Sequence, residues 1–428
     1  MRSLLATAAL TLLAAACGSL DSAEGTGDYG GSGGDEVPTT TGGGGNPNVP
    51  RSPDDAMAAA QDTDTGFLAG DWDDNKNFDW FLDQVGGGAL LTVTDRVLFQ
   101  VQLPEGAPVG GAWVTVTDQD TPTQIWSAVT PADGRVMMLP KEDMIGTNLV
   151  VEVTAPGGMP VTQNLELDGN PRSVTLEVPT AAPVALPTAI QVALVVDATG
   201  SMTDEIDYLA RNLEAMMADV QTLGAIDVDM ALIAYRDSDA PELMQQELEI
   251  LDFGSEMNSV ANVRQALGSL VAVGGGDYPE KLDLGLGAIK QLSWDPEVPR
   301  VVFVVGDAPP HPDDEEAALR SVDDARRDGI RIYPVAATGS GLAAEMFLRQ
   351  VGQVALGRYI FHQATDGQGA GDFAHPRIPC YEILTLHQQM VRAIHAEILG
   401  KREEIPSISD VGYPVNGMCQ IGTRTAYL

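Results

Sequence analysis

Positive charge is scarce in this chain: 24 Lys and Arg stand against 61 Asp and Glu, a formal charge of −37 over 428 residues. That imbalance excludes a nucleic-acid ligand, because phosphates need Lys and Arg gathered on one face. It suits divalent cations and basic partners, and it equally suits a merely soluble surface. Aromatic residues are few, at 5%, although apolar residues reach 44%. The cores are therefore expected to be built from Val, Leu, Ile and Ala. After the first 17 residues no run is long and apolar enough to span a bilayer. Cysteine is limited to Cys17, Cys380 and Cys419. The length implies two folded units joined by flexible segments.

Residues 1–17 read as an export signal. Arg2 provides a positive start, Leu4 to Ala16 is a short apolar run, and the stretch ends Leu13-Ala14-Ala15-Ala16-Cys17. This resembles a bacterial lipoprotein signal, although Ala14 stands where that family prefers Leu. The resemblance implies that Cys17 is lipidated and becomes the mature N-terminus; a plain signal peptide cleaved nearby is the alternative. It implies a cell-envelope location, with the outer membrane or cell surface favoured because Gly18 is not an inner-membrane retention aspartate. Attachment would be by lipid alone, each buried methylene contributing roughly 0.8 kcal/mol. Export leaves Cys380 and Cys419 as an even pair in an oxidising compartment, so a disulfide is expected, with two unpaired thiols as the alternative.

Residues 18–62 are Gly, Ser, Thr, Pro and Asp with almost no large apolar side chains, the composition of a disordered tether. Residues 63–88 form an amphipathic docking segment: Phe67, Trp72, Phe78 and Phe81 are expected to pack on the fold while Asp71, Asp73 and Asp74 stay in water. A calcium loop is the alternative, but the Gly and distal Glu of such a loop are missing. From 89 to 180 the periodicity is two, through Leu90, Thr92 and Thr94, then Val97, Phe99 and Val101, Val114 and Val116, Val150, Glu152 and Thr154, Leu165 and Leu167, and Val174, Leu176 and Val178. About seven short strands suggest a small all-β sandwich, a spacer or binding module. In patterning alone it resembles immunoglobulin-like or carboxypeptidase-regulatory accessory domains. Pro179 to Pro187 is the expected hinge.

From 187 to about 400 strands alternate with helices. Ile190–Val196 is a continuous apolar strand of the kind buried on both faces of a parallel sheet. Val228–Tyr235, Leu248–Phe253, Val301–Val305 and Ile330–Val335 follow, and Tyr359 with Phe361 marks the last. Helical spacing separates them at Ile206 to Val220, Val260 to Leu270, Leu282 to Leu292 and Ala318 to Ala325, and a final helix spans Leu384–Leu399. The pattern is a doubly wound α/β fold with a mostly parallel sheet. Residues 401–428 are a tail tied down by the disulfide. In such sheets ligands bind at the carboxyl ends of the strands.

The first of those ends reads Asp197-Ala198-Thr199-Gly200-Ser201. A carboxylate and two hydroxyls at alternate positions of a tight turn are hard oxygen donors, suited to Mg²⁺ or Mn²⁺, with Ca²⁺ as an alternative. Asp307 follows the later strand, and Asp277 lies in the glycine-rich loop Gly274-Gly275-Gly276-Asp277-Tyr278-Pro279-Glu280. Without metal, the first three would be a helix N-cap cluster, and Asp277 would cap a helix opening at Pro279. Asp237 is expected to pair with Arg236 or to cap its loop, with a place behind the metal ligands as the alternative. His311 is read as a solvated loop residue, and His362, His375, His387 and His395 as surface or helix residues.

These residues resemble the von Willebrand factor A family and its metal-ion-dependent adhesion site. Its Asp-x-Ser/Thr-x-Ser motif is matched by Asp197, Thr199 and Ser201, and its later aspartate by Asp307. The family's middle-loop Thr is absent, and Asp277 stands in for it. The resemblance implies a protein ligand that completes the metal coordination with an acidic side chain, and a non-enzymatic, adhesive role. A metal-stabilised envelope scaffold is a second reading. A Mg²⁺-dependent phosphatase of the haloacid dehalogenase type is a third; it needs a second Asp two residues after the nucleophile, where this chain has Thr199.

Overall fold

The computed structural model describes residues 67–85, 88–182, 185–237, 246–254, 259–276, 278–364, 377–412, 414–415 and 417–428. The expected signal and tether, Cys17, Asp277 and His375 lie outside the described residues.

The described chain opens with β1 (Phe67–Trp72) and a short helix α1 (Phe78–Val85). Seven strands follow: β2 (Val97–Gln102), β3 (Trp113–Asp118), β4 (Ile125–Val129), β5 (Arg135–Met138), β6 (Asn148–Thr154), β7 (Val161–Glu166) and β8 (Arg172–Glu177). They form two facing sheets, ordered β5-β2-β8 and β4-β3-β6-β7. Between them Val97, Phe99, Val114, Val116, Leu149, Val151 and Leu176 make a core of their own. The strand expected through Val150, Glu152 and Thr154 is β6, whose buried residues are the intervening Leu149, Val151 and Val153, while Glu152 is exposed. Leu90, Thr92 and Thr94 are not a strand; they lie in a coil.

The alternating half consists of β9 (Ala189–Asp197), α2 (Thr203–Val220), β10 (Asp227–Tyr235), β11 (Leu248–Leu251), α3 (Ser259–Ser269), α4 (Leu282–Ala288), β12 (Arg300–Gly306), α5 (Glu315–Arg327), β13 (Arg331–Ala336), α6 (Leu342–Val354), β14 (Tyr359–Ala364), β15 (Tyr381–Thr385), α7 (Leu386–Leu399) and β16 (Ser409–Val411). A terminal hairpin, β17 (Met418–Ile421) and β18 (Arg424–Tyr427), closes the chain. The nine-stranded sheet runs β11-β10-β9-β12-β13-β14-β1-β15-β16. Strands β10, β9, β12, β13 and β14 are parallel, and the rest join antiparallel. Both faces are covered by helices. Alternate residues of β9 therefore feed separate cores: Ala193 and Val195 one, Val192, Leu194 and Val196 the other. This is the doubly wound, mostly parallel α/β fold, preceded by the smaller sandwich.

Three strands lie beyond Tyr359 and Phe361, which were expected to end the sheet. β1 inserts between β14 and β15, with Phe67 opposite Ala364 and Trp72 opposite Tyr359. The acids at its end are consequently buried rather than wet. Asp71 meets Arg392 and Arg402, and also Arg358; Asp73 meets Arg358 at 3.1 Å, and Asp74 meets Arg349 at 2.6 Å. Leu384 belongs to β15, and α7 starts one residue after Thr385, whose hydroxyl and Gln388 form a reciprocal capping box. Of the histidines, His387 and His395 do lie on α7, but His362 is buried on β14 with its ring edge-on to Phe67.

The sandwich abuts the α/β half through charged pairs: Arg326 and Arg327 of α5 reach Asp143, each at 2.9 Å, and Arg331 at the start of β13 reaches Asp133 at 3.0 Å. A disulfide joins Cys380 to Cys419, with Cα atoms 6.5 Å apart and both residues buried. It closes a loop of sequence separation 39. In the chain-entropy account Cys419→Ser is therefore expected to destabilise the protein by about 3–4 kcal/mol, read from the shift in urea midpoint. An unchanged midpoint would show that the tail is held by other contacts. Among the described residues no helix is long and apolar enough to cross a membrane.

Candidate cation site at the carboxyl pole of the sheet

Strand β9 ends at Asp197, next to Tyr235 on β10 and one register step from Val305 on β12. The chain leaves the sheet through Ala198 and Thr199, makes a single 3₁₀ turn over Gly200–Met202 and enters α2 at Thr203. Neither Thr199 nor Met202, the residues preceding those two turns, caps them with its side chain. The N-cap alternative therefore fails for this loop. Its oxygens are turned toward one another instead. Asp197 Oδ1 accepts hydrogen bonds from the Thr199 amide (2.9 Å) and the Thr199 hydroxyl (2.7 Å). Tyr235 Oη donates to Asp197 Oδ2 at 3.4 Å. The Ser201 hydroxyl faces the carboxylate of Asp307, just beyond β12, closely enough to favour its ionised form. Four of the five expected ligands, Asp197, Thr199, Ser201 and Asp307, thus share one pole of the sheet.

The middle loop lies against this turn. Val273 N donates to Ala198 O (3.0 Å), and Gly200 N to Gly274 O (3.2 Å). Gly275 has φ +80°, and a Cβ there would stand 2.4 Å from Glu280 Oε1 and 3.1 Å from Thr199 Cβ. Only glycine satisfies both the backbone conformation and that approach. No helix opens at Pro279: Glu280 makes an isolated parallel bridge with Pro310, and α4 begins at Leu282.

The electrostatics favour a cation. Asp197 is fully buried, and burial pushes its carboxyl up to about 7, with the negative Asp307 adding to the shift and the Thr199 hydrogen bonds opposing it. Burial also raises Asp307, against the influence of the Ser201 hydroxyl. Glu205 on α2 is pushed up to about 7, mainly by burial, while its Oε1 accepts the Thr338 amide at 3.3 Å. Carboxyl groups crowded into a poorly hydrated pole ionise reluctantly unless a positive charge joins them. The donors are all oxygen. Among the described residues no three His, Cys, Asp or Glu side chains gather as a metal cluster, so the hydroxyls are essential to this set. The hydroxyl of Thr199 gives its proton to Asp197 and keeps lone pairs for a metal. Hard oxygens and no thiolate or imidazole fit Mg²⁺, Mn²⁺ or Ca²⁺ better than a soft ion.

Two residues near the pole were not singled out by sequence reasoning. Glu280 is buried, and its charge together with those of Asp197 and Asp307 raises Tyr235 well above the usual phenol range after burial has done most. Glu205 occupies the inward face of the first turn of α2, where an acid ordinarily reads as a solvated dipole partner. Others sit differently than expected. Asp237 pairs with His311 Nε2 at 2.7 Å, and Arg236 turns to Glu249 at 2.6 Å. His311 is thereby half-buried and held instead of solvated. Tyr278 stands on the rim with its ring exposed; its hydroxyl accepts the Gly341 amide at 2.8 Å and reaches Asp307 O at 3.5 Å.

No protein-family model matches the chain. Among curated proteins it is similar to the α-protein kinase vwkA of Dictyostelium discoideum, 24% identical over 151 residues, which cover 33% of this chain and only 22% of that protein. Among solved structures it is similar to the vWF domain of the type V pili tip protein Mfa5 from Porphyromonas gingivalis, with TM-score 0.36 and 11% identity over 52% of this chain and 99% of that one. It is similar to the pilus adhesin SpaC from Lactobacillus rhamnosus GG in its open conformation, with TM-score 0.31 and 12% identity over 48% of this chain and 28% of that one. A third is proximal thread matrix protein 1 from the mussel byssus with a zinc-occupied MIDAS motif, with TM-score 0.30 and 16% identity over 39% of this chain and 40% of that one. Likeness this slight says nothing about function, and the site's own residues must carry it.

Proposed function

We propose that this chain is an exported, lipid-anchored adhesion protein whose α/β half is a von Willebrand factor A domain holding one divalent cation. The cation is bound by Asp197, Thr199, Ser201 and Asp307, with Asp277 as the middle-loop ligand. It keeps a coordination position for an acidic side chain of a protein partner. The observation that supports this most is the hydroxyl–carboxylate set gathered from two strand ends, with Asp197 buried and short of positive charge. Bridging by a cation also answers the charge problem of a chain at −37, which would otherwise repel an acidic partner. Tyr278 and the segment from Pro309 to Asp314 surround the open side and would set specificity. The role is binding and not phosphoryl chemistry, because Thr199 cannot serve as the general acid that an aspartyl nucleophile requires two residues on.

Crosslinking on intact cells, with and without chelator, tests the reading. The partner adduct should disappear in chelator, return with Mg²⁺ or Mn²⁺, and be absent for Asp197→Ala although that variant stays folded. An adduct undiminished by chelator would defeat it.

A further inference from the structure

At the opposite pole, by the amino ends of the parallel strands, β1, the start of β14 and α7 enclose a small cavity of about 10 Å³. Its wall carries three guanidinium groups, Arg358, Arg392 and Arg402, against the single carboxylate of Asp71. Asp71 already accepts three hydrogen bonds: Oδ1 from Arg392 Nη2 (3.0 Å) and Arg402 Nη2 (2.8 Å), and Oδ2 from Arg358 Nε. The neighbouring acids are engaged as well. Asp73 takes Arg358 Nη1 at 3.1 Å, and Glu382 takes Arg392 Nη1 at 3.2 Å. Gln389 Oε1 accepts from Arg392 at 2.6 Å, and Tyr333 gives its proton to Glu397 at 2.6 Å. Two donors are left over. Arg358 Nη2 and Arg402 Nε are buried and find no acceptor among the described residues.

Leaving charged donors buried and unpaired is expensive, so something should accept from them. A buried water needs two to four polar partners and must place its own hydrogens. Here the wall offers mainly donors, three guanidinium groups against one carboxylate that already accepts three of its roughly four bonds. The room is about that of one small sphere, which excludes sulfate and phosphate. We propose that this cavity binds one small monovalent anion of the halide class, held between Arg358 Nη2 and Arg402 Nε. Arg402 feels this crowding: burial first pushes its guanidinium down to about 10, and repulsion from Arg358 and Arg392 adds to the shift while Asp71 and Glu382 oppose it. The anion would tie β1 to the last helix and to the segment that follows it.

The test uses the full chain in gluconate buffer at constant ionic strength. Replacing gluconate with chloride or bromide should raise the melting temperature along a saturable curve. Arg402→Gln should raise the half-saturating halide concentration at least tenfold. Crystals grown in sodium bromide should show a bromine anomalous peak between Arg358 and Arg402. A melting temperature equal in gluconate and halide, or bromide crystals with only a water between those arginines, would overturn the proposal. If Arg402→Gln does not fold, the wild-type bromide experiment alone decides.

Discussion

Asp71→Asn is expected to lower the free energy of unfolding by about 3–5 kcal/mol, the usual consequence of removing one partner from a buried ion pair. The substitution keeps the shape of the side chain but removes its charge and turns one acceptor oxygen into a donor. Asp71 is the shared acceptor of Arg358, Arg392 and Arg402, on three separate stretches of chain. Arg392 is almost wholly buried, so it cannot turn to water once the carboxylate is gone. Burial opposes ionisation of Asp71, but the Coulomb attraction of Arg358, Arg402 and Arg392 outweighs it and holds the carboxyl far below its ordinary value. The sign follows from linkage. A depressed folded-state pKa stabilises the protein above the unfolded value of 3.8 and loses that contribution as pH falls below it. The gap between wild type and variant in urea should therefore be full at pH 7 and shrink below about pH 4. Asp79→Asn, on the exposed side of α1, serves as control and should change little. Equal midpoints for wild type and Asp71→Asn would mean that the arginines do not depend on this carboxylate.

That cluster also marks where the sequence stopped being legible. The continuous apolar strands β9, β10, β12 and β13 could be read directly, because strands buried on both faces leave unbroken Val, Ile and Leu runs. The candidate cation loop could be read because its oxygens sit within five residues at the end of such a strand. Strand β1 could not. With Asp71 beside Trp72 it reads as an amphipathic surface segment, and the arginines that neutralise its acids lie more than 270 residues away. Helix α6 was missed for a related reason. Glu345, Arg349, Gln350 and Gln353 are all buried on it, so the apolar stripe that would reveal a 3.6-residue period is broken by polar residues paired elsewhere. Glu280 and Glu205 were passed over because acids in a loop and in a first helical turn read as solvated; only the fold turns them inward. Local periodicity reveals elements whose burial is apolar, whereas buried charge is intelligible only once the distant partner is in place.

The carboxyl pole makes the opposite prediction. Without metal, Asp197→Asn should stabilise the protein above pH 7, and at the same time it should abolish stabilisation by Mg²⁺ or Mn²⁺. Asp197 is pushed up to about 7 from an ordinary 3.8, by burial first and by Asp307 after it. A raised acid pKa means that the folded state holds the proton more tightly than the unfolded one. The contribution of Asp197 to the stability of the metal-free protein is then greatest below about pH 4, declines as pH rises toward 7 and levels off beyond. The gap of about three pH units corresponds to a penalty on the order of 4 kcal/mol at pH 8, which the neutral Asn does not carry. A cation reverses the slope for wild type, since it needs the carboxylate and competes with its proton. The rise in melting temperature on adding Mg²⁺ should be small at pH 5, grow through pH 7 and reach the equivalent of about 2.7 kcal/mol at a concentration one hundred times Kd. Thermal scans of wild type and Asp197→Asn from pH 5 to 8, with Mg²⁺ or with chelator, separate the two effects. A variant that is stabler without metal yet blind to it fits a cation site built from buried oxygens. A variant as responsive to Mg²⁺ as wild type would place the cation elsewhere. One that is simply less stable at every pH would make Asp197 a structural acceptor for the Thr199 turn.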